Sequence, residues 1–360
     1  MTALPDTSDF TALSRRRGSI SVPTVTLAHG GGGSAMRNLI DDVFVSVFDN
    51  PALAPLEDQA RFPLAELSRL GDRLAFTTDS YVVDPLFFPG GDIGKLAVCG
   101  TINDLAVGGA TPLYLTCSAI IEEGLDVDTL RALAKSMATA AADAGVSIVT
   151  GDTKVVHKGT CDKLFLNTAG IGMIRDGLNL GAGRCRPGDA ILVNGLLGDH
   201  GAAILNARGD MAFSTAIESD CAALHELIGE LLAAAPASRF IRDATRGGLA
   251  TVLNEAARAS GAGIEISEAA IPMREEVKAF CEILGLDPLY LANEGKIVCV
   301  VPEEEEGAAL QAMRGHPLGR LSEIIGRVTG ESPGRVVMNT AFGGQRIVDM
   351  LVGDQLPRIC

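Results

Sequence analysis

Strand-like and helix-like apolar segments alternate along the first half of this chain, and this alternation limits its fold more than any other sequence feature. Strand-type runs at residues 74–78, 112–121 and 164–174 are separated by helix-type stretches at 94–107 and from Asp126 or Asp128 through Ala142. An apolar period that switches between 2 and 3.6 residues indicates helices packed on a sheet. The sequence therefore predicts an α/β (α+β) fold.

Residues 181–188 (GAGRCRPG) are rich in turn formers, lack an apolar period and divide the chain into two halves. We expect an N-terminal domain at 27–180, a C-terminal domain at 181–350 and a mobile tail at 351–360. The predicted helices of the second half include 217–235 and 275–284. Residues 1–26 contain three arginines but no apolar segment after them, so a disordered extension is expected rather than a signal peptide.

Composition excludes several classes of protein. The net charge of −15 argues against binding to a nucleic-acid backbone, which requires clustered Lys and Arg. No uninterrupted apolar run approaches 20 residues, so no transmembrane helix is expected. The eight cysteines form no CxxC pair and lie in apolar stretches, which favours reduced thiols over disulfides or zinc. Reduced thiols indicate a cytoplasmic protein.

Four short segments carry an aspartate beside a turn or a helix start, where strands are predicted to end. The segments are TTDSYVVDP, GTINDLAVGG, VTGDTK and RDATRGG, and their aspartates are Asp79, Asp104, Asp152 and Asp243. Carboxylates presented from several strand ends can converge on Mg²⁺, a hard cation that is often bound together with substrate phosphates. Each of these aspartates, taken alone, is typical of a helix cap or a turn. The prediction of an Mg²⁺ site therefore depends on all four together.

Other residues suit a phosphate ligand. Gly30–Gly33 precede the first predicted helix, where backbone N–H groups suit phosphate oxygens, although such a run also serves as a plain hinge. Lys154 would supply a positive charge that faces a phosphate. Glu294, at the start of a strand, could act as a base, order a cation or be a turn carboxylate. No Lys-Ser/Thr follows the glycine run, so it is not a Walker A loop.

The chain ends in Pro357-Arg358-Ile359-Cys360. This is not a CaaX box, in which the cysteine lies four residues from the end. A proline stiffens the approach, and the nearby Arg358 favours the thiolate of Cys360. A terminal cysteine usually has no special role, but a chain end can swing into a distant site, so Cys360 is also a candidate for a reactive thiol.

Together these segments resemble the HypE family of hydrogenase maturation proteins, within the PurM-like superfamily of aminoimidazole ribonucleotide (AIR) synthetase. The resemblance runs from about Leu27 to Cys360. It rests on LAHGGGG, EDQAR, TDSYVVDPLFFPGGDIGKLAVCGTINDLAV, VTGDTKVV, LGDHGA, DATRGG, ANEGK and PRIC. It implies a two-domain PurM/AIR synthetase-like fold, with an N-terminal half that forms a sheet and builds a homodimer, and an α/β C-terminal half.

The resemblance also implies that ATP and Mg²⁺ bind in a cleft at the N-terminal sheet. Catalytic roles are implied for Cys360, as the carrier of the reacting group, and for Lys154 and Glu294. The residues expected to bind the nucleotide are Gly31, Gly32, Asp79, Asp104, Thr153, Lys154 and Asp243. Those expected to bind the metal are Asp58, Asp79, Asp104 and Asp152.

The implied activity is ATP-dependent carbamoyl dehydration. In the family, the carbamoyltransferase HypF loads a carbamoyl group on the terminal cysteine, and dehydration converts it to a thiocyanate. The HypC–HypD complex then accepts the cyano group, which becomes a ligand of iron in [NiFe]-hydrogenase. No nucleic-acid or membrane partner is expected.

Two other hypotheses remain open at this point. A selenophosphate-type or thiamine-phosphate-type kinase of the same superfamily would act on a free small molecule and would not need Cys360. A non-catalytic adaptor would dock partners through its tail and would not consume ATP.

Overall fold

The computed structural model describes residues 19–209, 217–351, 353 and 358–360, and its architecture is mixed α/β with two large sheets. The elements of the first half are, in chain order, α1 (Ser34–Leu39), the π-helix Ile40–Val45, α2 (Leu64–Leu67), β1 (Arg73–Tyr81), β2 (Phe87–Phe88), β3 (Gly91–Asp92), α3 (Ile93–Val107), β4 (Ala110–Glu122), α4 (Val127–Asp143), β5 (Ser147–Val156) and β6 (Leu164–Ile174).

The four long strands of the first half form one sheet in the order β1-β6-β4-β5. Strands β4 and β5 are parallel, whereas β6 runs antiparallel to both β1 and β4. A parallel pair needs a crossover connection, and α4 supplies it between β4 and β5. Helices α3 and α4 contact each other and cover one face of this sheet. The sheet and the two helices together enclose the first core.

Helix α3 is apolar on nearly every side, and only Lys95 and Asp104 are incompletely buried. A helix without a polar face must be covered all round, and α3 contacts β1, β4, β6, α4, α6 and β8. Its N-terminus is capped by Asp92, whose Oδ1 accepts from the backbone N–H groups of Gly94 (2.8 Å) and Lys95 (3.0 Å). Helix α3 therefore links the two halves.

The second half contains a seven-stranded sheet with helices packed on it. Its elements are β7 (Ala190–Val193), α5 (Asp199–Ala207), α6 (His225–Ala234), β8 (Phe240–Asp243), α7 (Gly248–Ser260), β9 (Gly263–Ser267), α8 (Glu275–Leu284), β10 (Ile297–Val301), α9 (Glu306–Gly315), β11 (Glu323–Thr329), β12 (Val336–Asn339) and β13 (Gln345–Val348). The strand order is β13-β12-β9-β11-β7-β10-β8. Every residue of the central strands β7 and β10 is buried, as expected for strands covered on both faces.

The helix predicted at 217–235 is wrong in its first part, because α6 begins only at His225. The segment before it instead forms tertiary hydrogen bonds. The N–H of Ser219 donates to the carbonyl of Pro89 (2.8 Å), and the N–H of Leu224 donates to Asn103 Oδ1 (2.8 Å). Contacts with the first half satisfy backbone groups that a helix would otherwise pair internally.

Among the residues that the structure describes, no helix combines the length and the apolarity that crossing a membrane requires. The first sheet uses strands between residues 73 and 174, and the second uses strands between 190 and 348. The predicted domain limits of 27–180 and 181–350 remain predictions. Most of the predicted extension at 1–26, and Pro357 with much of the tail, lie outside the described residues.

Candidate active site

A cavity of about 550 Å³ lies between the two halves, and its walls carry both acidic and basic side chains. Strand β1 contributes Asp79 and α3 contributes Asp104, whereas Asp243 ends strand β8. Arg246, in the turn before α7, also lines the cavity, and its Nη2 lies 3.6 Å from Asp79 Oδ1. We call this space the acidic cavity. It brings together three of the four aspartates predicted from the strand-end segments.

The carboxylates of the acidic cavity are poorly neutralised. Burial raises the pKa of Asp104 to about 6, although the hydroxyl of Thr77 donates to its Oδ2 at 3.0 Å and opposes the shift. Burial and then the charge of Asp104 raise the pKa of Asp243 to about 7. Like charges held together in a partly dry site favour proton or cation uptake. The cavity therefore suits a divalent cation.

The described parts of the chain contain no cluster of three or more His, Cys, Asp or Glu side chains arranged to hold a metal ion. Mg²⁺ seldom requires a site made only of protein side chains, because one or two carboxylates together with substrate phosphates usually coordinate it. Asp79 and Asp104 supply carboxylates of this kind, and Arg242 and Arg246 line the same cavity. The residues present fit a phosphate-bound Mg²⁺ better than a permanent metal centre.

The last three residues are docked against the first half of the chain. The N–H of Val82 donates to the carbonyl of Cys360 (3.1 Å), and that of Asp84 donates to the carbonyl of Arg358 (3.4 Å). Ile359 is 5% exposed and belongs to the first core. These two backbone bonds and the burial of Ile359 give the tail a defined position. The predicted mobility of the tail is not tested by this single position.

Cys360 lines a second cavity of about 380 Å³, and Arg246 lies in the walls of both cavities. Burial, followed by the charge of Glu294, raises the pKa of the Cys360 thiol, while Arg246 acts in the opposite direction. The terminal thiol is therefore within electrostatic reach of the acidic cavity. In this docked position it is predominantly protonated at neutral pH.

Glu294 is buried, and its Oε1 has no hydrogen-bond partner among the described residues. Its position is set through its backbone. The N–H of Glu294 donates to Asp220 Oδ1 (3.0 Å), and its carbonyl accepts from Asn103 Nδ2 (3.3 Å). Burial, followed by the charges of Asp243 and Asp220, raises the pKa of Glu294 well above its ordinary value. An unpaired buried carboxyl beside Cys360 is suited to exchanging a proton with a bound group.

The other predicted site residues lie elsewhere. Asp58, Asp152 and Thr153 line a separate cavity of about 440 Å³, between β5 and the helical segment that begins at α1. Lys154 Nζ lies 2.9 Å from Asp152 Oδ2, and both side chains are more than half exposed. Within one chain, the predicted metal and nucleotide residues thus separate into two groups.

The register of the first sheet explains this separation. It places four residues opposite one another in a row: Asp79 on β1, Thr168 on β6, Cys117 on β4 and Gly151 on β5. Three interstrand steps of about 4.8 Å therefore lie between Asp79 and the residue before Asp152, roughly 14 Å in all. Strands β1 and β5 are the two edges of the sheet.

Gly31 and Gly32 lie on the β5 side of the sheet. They follow a short 3-10 helix, Leu27–Gly30, and precede α1. Gly32 has φ +78°, a left-handed conformation that glycine adopts without strain. A Cβ at the neighbouring Gly30 would press on Val155 of β5. This turn is thus grouped with Asp152 rather than with Asp79.

Sequence reasoning missed Arg246 and Asp220. Arg246 lies inside the DATRGG segment, and a search for a phosphate counter-charge near Asp243 would have found it. Asp220 forms a buried ion pair with Lys296 Nζ (3.0 Å) and orders the backbone of Glu294. No local pattern around Asp220 could have indicated this contact, because its partners are more than 70 residues away.

Comparison with known proteins identifies relatives along most of the chain. Residues 57–174 match the family model "AIR synthase related protein, N-terminal domain", and residues 186–339 match the corresponding C-terminal domain model. Carbamoyl dehydratase HypE of Rhodobacter capsulatus is 61% identical over 336 residues, which cover 93% of this chain and 98% of the relative.

Two solved structures are also similar to this chain. A crystal structure of hydrogenase maturation protein HypE in complex with ATP has 50% identity and a TM-score of 0.89, covering 94% of this chain and all of the other. A structure of a HypE–HypF complex has 48% identity and a TM-score of 0.75, covering 87% and 99% of the two chains. The predicted PurM/AIR synthetase-like fold class is thereby confirmed.

Proposed function

Because the chain belongs to the AIR synthase-related family and, within it, to the HypE carbamoyl dehydratases, we propose that it dehydrates a carbamoyl group carried on its own Cys360. The reaction consumes ATP and converts the protein-bound thiocarbamate to a thiocyanate. The product supplies cyanide for the iron of [NiFe]-hydrogenase during maturation. The enzyme is an ATP-dependent lyase that breaks a C–O bond and releases ADP and phosphate.

The observation that carries this proposal is that Cys360 lines a cavity that shares Arg246 with the acidic cavity, within electrostatic range of Glu294. A terminal thiol with only a structural role would not need to lie beside an unpaired buried carboxyl. The shared wall at Arg246 places a group on the sulfur next to carboxylates that suit a phosphate-bound cation. If the substrate were a free small molecule, as in the kinase hypothesis, catalysis would not require the tail to lie in the cavity beside Arg246.

The chemistry follows from the poor leaving ability of the carbamoyl oxygen. That oxygen attacks the γ-phosphorus of ATP, which releases ADP, while the carbamoyl nitrogen loses one proton. The phosphorylated imidate on Cys360 then loses phosphate as the nitrogen gives up its second proton, leaving S–C≡N. Glu294, as a positioned carboxylate, accepts a proton from the nitrogen. The buried position of Glu294 and the half-buried position of Cys360 limit the access of water to the activated group.

Residues of the acidic cavity have complementary roles in this scheme. Asp79 and Asp104 would hold Mg²⁺, which when bound neutralises charge on the transferring phosphate. Asp243 lies beside them, and Arg246 faces both the phosphate side and the Cys360 side. The ATP complex of the HypE relative supports nucleotide binding by this chain.

The predicted site residues on and near β5 fit a homodimer built through the N-terminal sheets. Strand β1 exposes Leu74 (59%) and Phe76 (68%) along an edge of the sheet, and such a stripe favours association. If β5 of each chain lies against β1 of the other, the edge with Asp58, Asp152, Thr153 and Lys154 approaches the acidic cavity. Lys154 would then face the phosphate across the subunit boundary, as would the turn at Gly31 and Gly32.

Partners and location complete the proposal. HypF, which forms a complex with the HypE relative, loads the carbamoyl group on Cys360. The HypC–HypD complex takes the cyano group from the same sulfur. Both reactions require the sulfur to be accessible to another protein, so the tail must leave its docked position. The maturation pathway and the eight free thiols support a cytoplasmic location.

The test is intact-mass analysis of the protein after incubation with HypF, carbamoyl phosphate and ATP. We expect a carbamoyl adduct that loses the mass of one water molecule when ATP and Mg²⁺ are present. The Cys360→Ala variant should form neither adduct. A cyano adduct on Cys360→Ala would refute the proposal.

Two further measurements separate the alternatives. Deletion of the last four residues should abolish substrate-dependent ATP consumption, whereas a kinase for a small molecule would keep its turnover. A carbamoylated wild-type protein that binds ATP without hydrolysing it would identify a non-catalytic adaptor.

A further inference from the structure

His200 is completely buried in α5 and makes a hydrogen bond to the C-terminal tail. Its Nε2 lies 2.8 Å from the carbonyl oxygen of Ile359, and its Nδ1 lies 2.8 Å from Ser219 Oγ. A carbonyl oxygen can only accept, so Nε2 carries the proton and Nδ1 accepts from the hydroxyl of Ser219. The ring of Phe88 packs edge-on against the imidazole, with centroids 5.6 Å apart. The ring is thus held in one orientation, with its N–H toward the tail.

Arg208, just after the end of α5, binds the neighbouring carbonyl. Its Nη2 donates to the oxygen of Arg358 (2.6 Å), and its Nε donates to the oxygen of Asp84 (2.9 Å). Arg208 therefore bridges the tail and the segment of the first half with which the tail pairs. Two side chains of the second half bind two consecutive carbonyls directly before Cys360.

We propose that His200 and Arg208 are positioning residues that hold the C-terminal tail in its docked place, so that the group on Cys360 is presented to the acidic cavity. This inference rests on the proposed function and extends it to the step between loading and dehydration. Both residues bind backbone oxygens, so the contacts are the same whether Cys360 is unmodified, carbamoylated or cyanated. Both contacts must therefore break each time the tail leaves its docked position to react with a partner protein.

The geometry favours this role over plain core packing. A packed histidine needs partners only within its own core, but His200 connects the segment that contains Ser219 with a chain end 159 residues away. Departure of the tail would leave the Nε2–H buried without this acceptor. Loss of one such bond is expected to shift the docking equilibrium by roughly 2- to 12-fold.

The first experiment measures docking without reference to the reaction. Full-length protein is treated with iodoacetamide, and alkylation of Cys360 is followed over time by peptide mass spectrometry. His200→Leu and Arg208→Met should alkylate Cys360 roughly 2- to 12-fold faster than wild type, because the thiol spends more time outside. His200→Gln keeps a donor near the Nε2 position, so this variant and Arg208→Lys should lie closer to wild type.

The controls separate undocking from unfolding. His225→Leu alters another histidine of the second half, at the start of α6, and should leave Cys360 alkylation unchanged. Cys185, buried in the core of the second half, should remain unlabelled in every variant. If His200→Leu does not fold, Arg208→Met carries the test. Alkylation of Cys360 at the wild-type rate in a folded Arg208→Met would overturn the inference.

The second experiment separates the two half-reactions. Carbamoylation by HypF should be as fast or faster in the variants, because it uses the undocked tail, whereas dehydration should be slower. A proportional loss of both rates would indicate only a structural role and would overturn the inference. Absence of a cyano adduct in wild type would instead refute the proposed function, and the alkylation rates would still decide whether His200 and Arg208 hold the tail.

Discussion

At the scale of single residues, burial sets the chemistry of this protein more than local charge does. Glu294 and Cys360 both have raised pKa values, and in both cases burial is the main cause. In both groups burial favours the neutral form in the docked state. Ionisation of Glu294 makes it a stronger base than an exposed carboxylate.

Replacement of Glu294 by Gln should slow dehydration by roughly 10²- to 10⁴-fold, because the proton acceptor is lost while the shape is kept. Carbamoyl-Cys360 should then accumulate. Because the pKa of Glu294 is raised, the dehydration rate of wild type should increase with pH over a range above that of an ordinary carboxyl group, and this increase should disappear in Glu294→Gln. Rapid-quench mass analysis of Cys360 measures both effects. Glu265→Gln, on strand β9, is the control and should behave as wild type.

A second residue-scale prediction concerns stability and pH. The Arg131 guanidinium lowers the pKa of Asp42 through a hydrogen bond of 2.7 Å, and the N–H of Ile20 donates to the same carboxylate. A lowered folded-state pKa adds stability that is fully present above the unfolded pKa of about 3.9 and is lost as pH falls through the folded value. Asp42→Asn should therefore lower the free energy of unfolding at pH 7 by about 1 kcal/mol, since Arg131 is 37% exposed and the pair is partly screened.

Urea unfolding of wild type and Asp42→Asn between pH 7 and pH 3 measures this difference. The two curves should converge below about pH 4. Asp128→Asn removes the other carboxylate that binds Arg131, but Asp128 is 84% exposed, so this control should change stability little. A difference between Asp42→Asn and wild type that stays constant down to pH 3 would contradict the argument.

At the scale of secondary-structure elements, α3 leaves little space for larger side chains at its glycines. It packs against both halves, and two of its glycines face close neighbours. A Cβ on Gly100 would overlap the hydroxyl of Tyr81, which is itself buried and cannot move aside. A Cβ on Gly94 would press on the carbonyl of Leu133 in α4. The glycines thus allow the close approach of α3 to β1 and α4.

Gly100→Ala should lower the free energy of unfolding by about 1–3 kcal/mol, because overpacking outweighs the better helix propensity of alanine. Gly229→Ala, on α6, meets no atom within 4 Å and should instead raise stability by up to about 1 kcal/mol. Adding Tyr81→Phe to Gly100→Ala should recover part of the loss. Thermal and urea unfolding measure all three changes, and equal effects of the two alanine variants would disprove the packing argument.

At the scale of the whole molecule, one chain does not bring all the predicted site residues together. Asp79, Asp104 and Asp243 line the acidic cavity and Cys360 lines the adjoining one, whereas Asp152 and Lys154 lie at the opposite edge of the first sheet. The apolar stripe on β1 provides a surface on which two chains can join. Dimerisation is thus proposed to complete the site as well as to bury apolar area.

Phe76→Arg should convert the proposed homodimer to a monomer, because a charge replaces a 68% exposed aromatic ring at the centre of the stripe. Phe342→Arg is the control, since Phe342 is fully exposed on the loop between β12 and β13 of the second half. Sedimentation velocity measures the masses. A monomeric wild type, or a dimeric Phe76→Arg, would contradict the proposed interface. ATP turnover should fall with dimer dissociation if Lys154 acts across the boundary.

The sequence alone determined the fold class and most of the elements, because apolar periodicity and turn residues act over short stretches of chain. Strand β6 and helix α8 lie where the patterns place them. Family membership was also determined by sequence, through contiguous segments such as DATRGG and the final PRIC.

Tertiary structure determined which of the predicted site residues lie close together. Strand order placed Asp79 and Asp152 at opposite edges of a sheet, although both were predicted as ligands of one metal. Long-range hydrogen bonds delayed the start of the predicted helix 217–235 to His225 and placed Asp220 against the backbone of Glu294. The same kind of contact docked Cys360 through His200 and Arg208. Such contacts join residues that are distant in the chain, so only packing of the two halves could establish them.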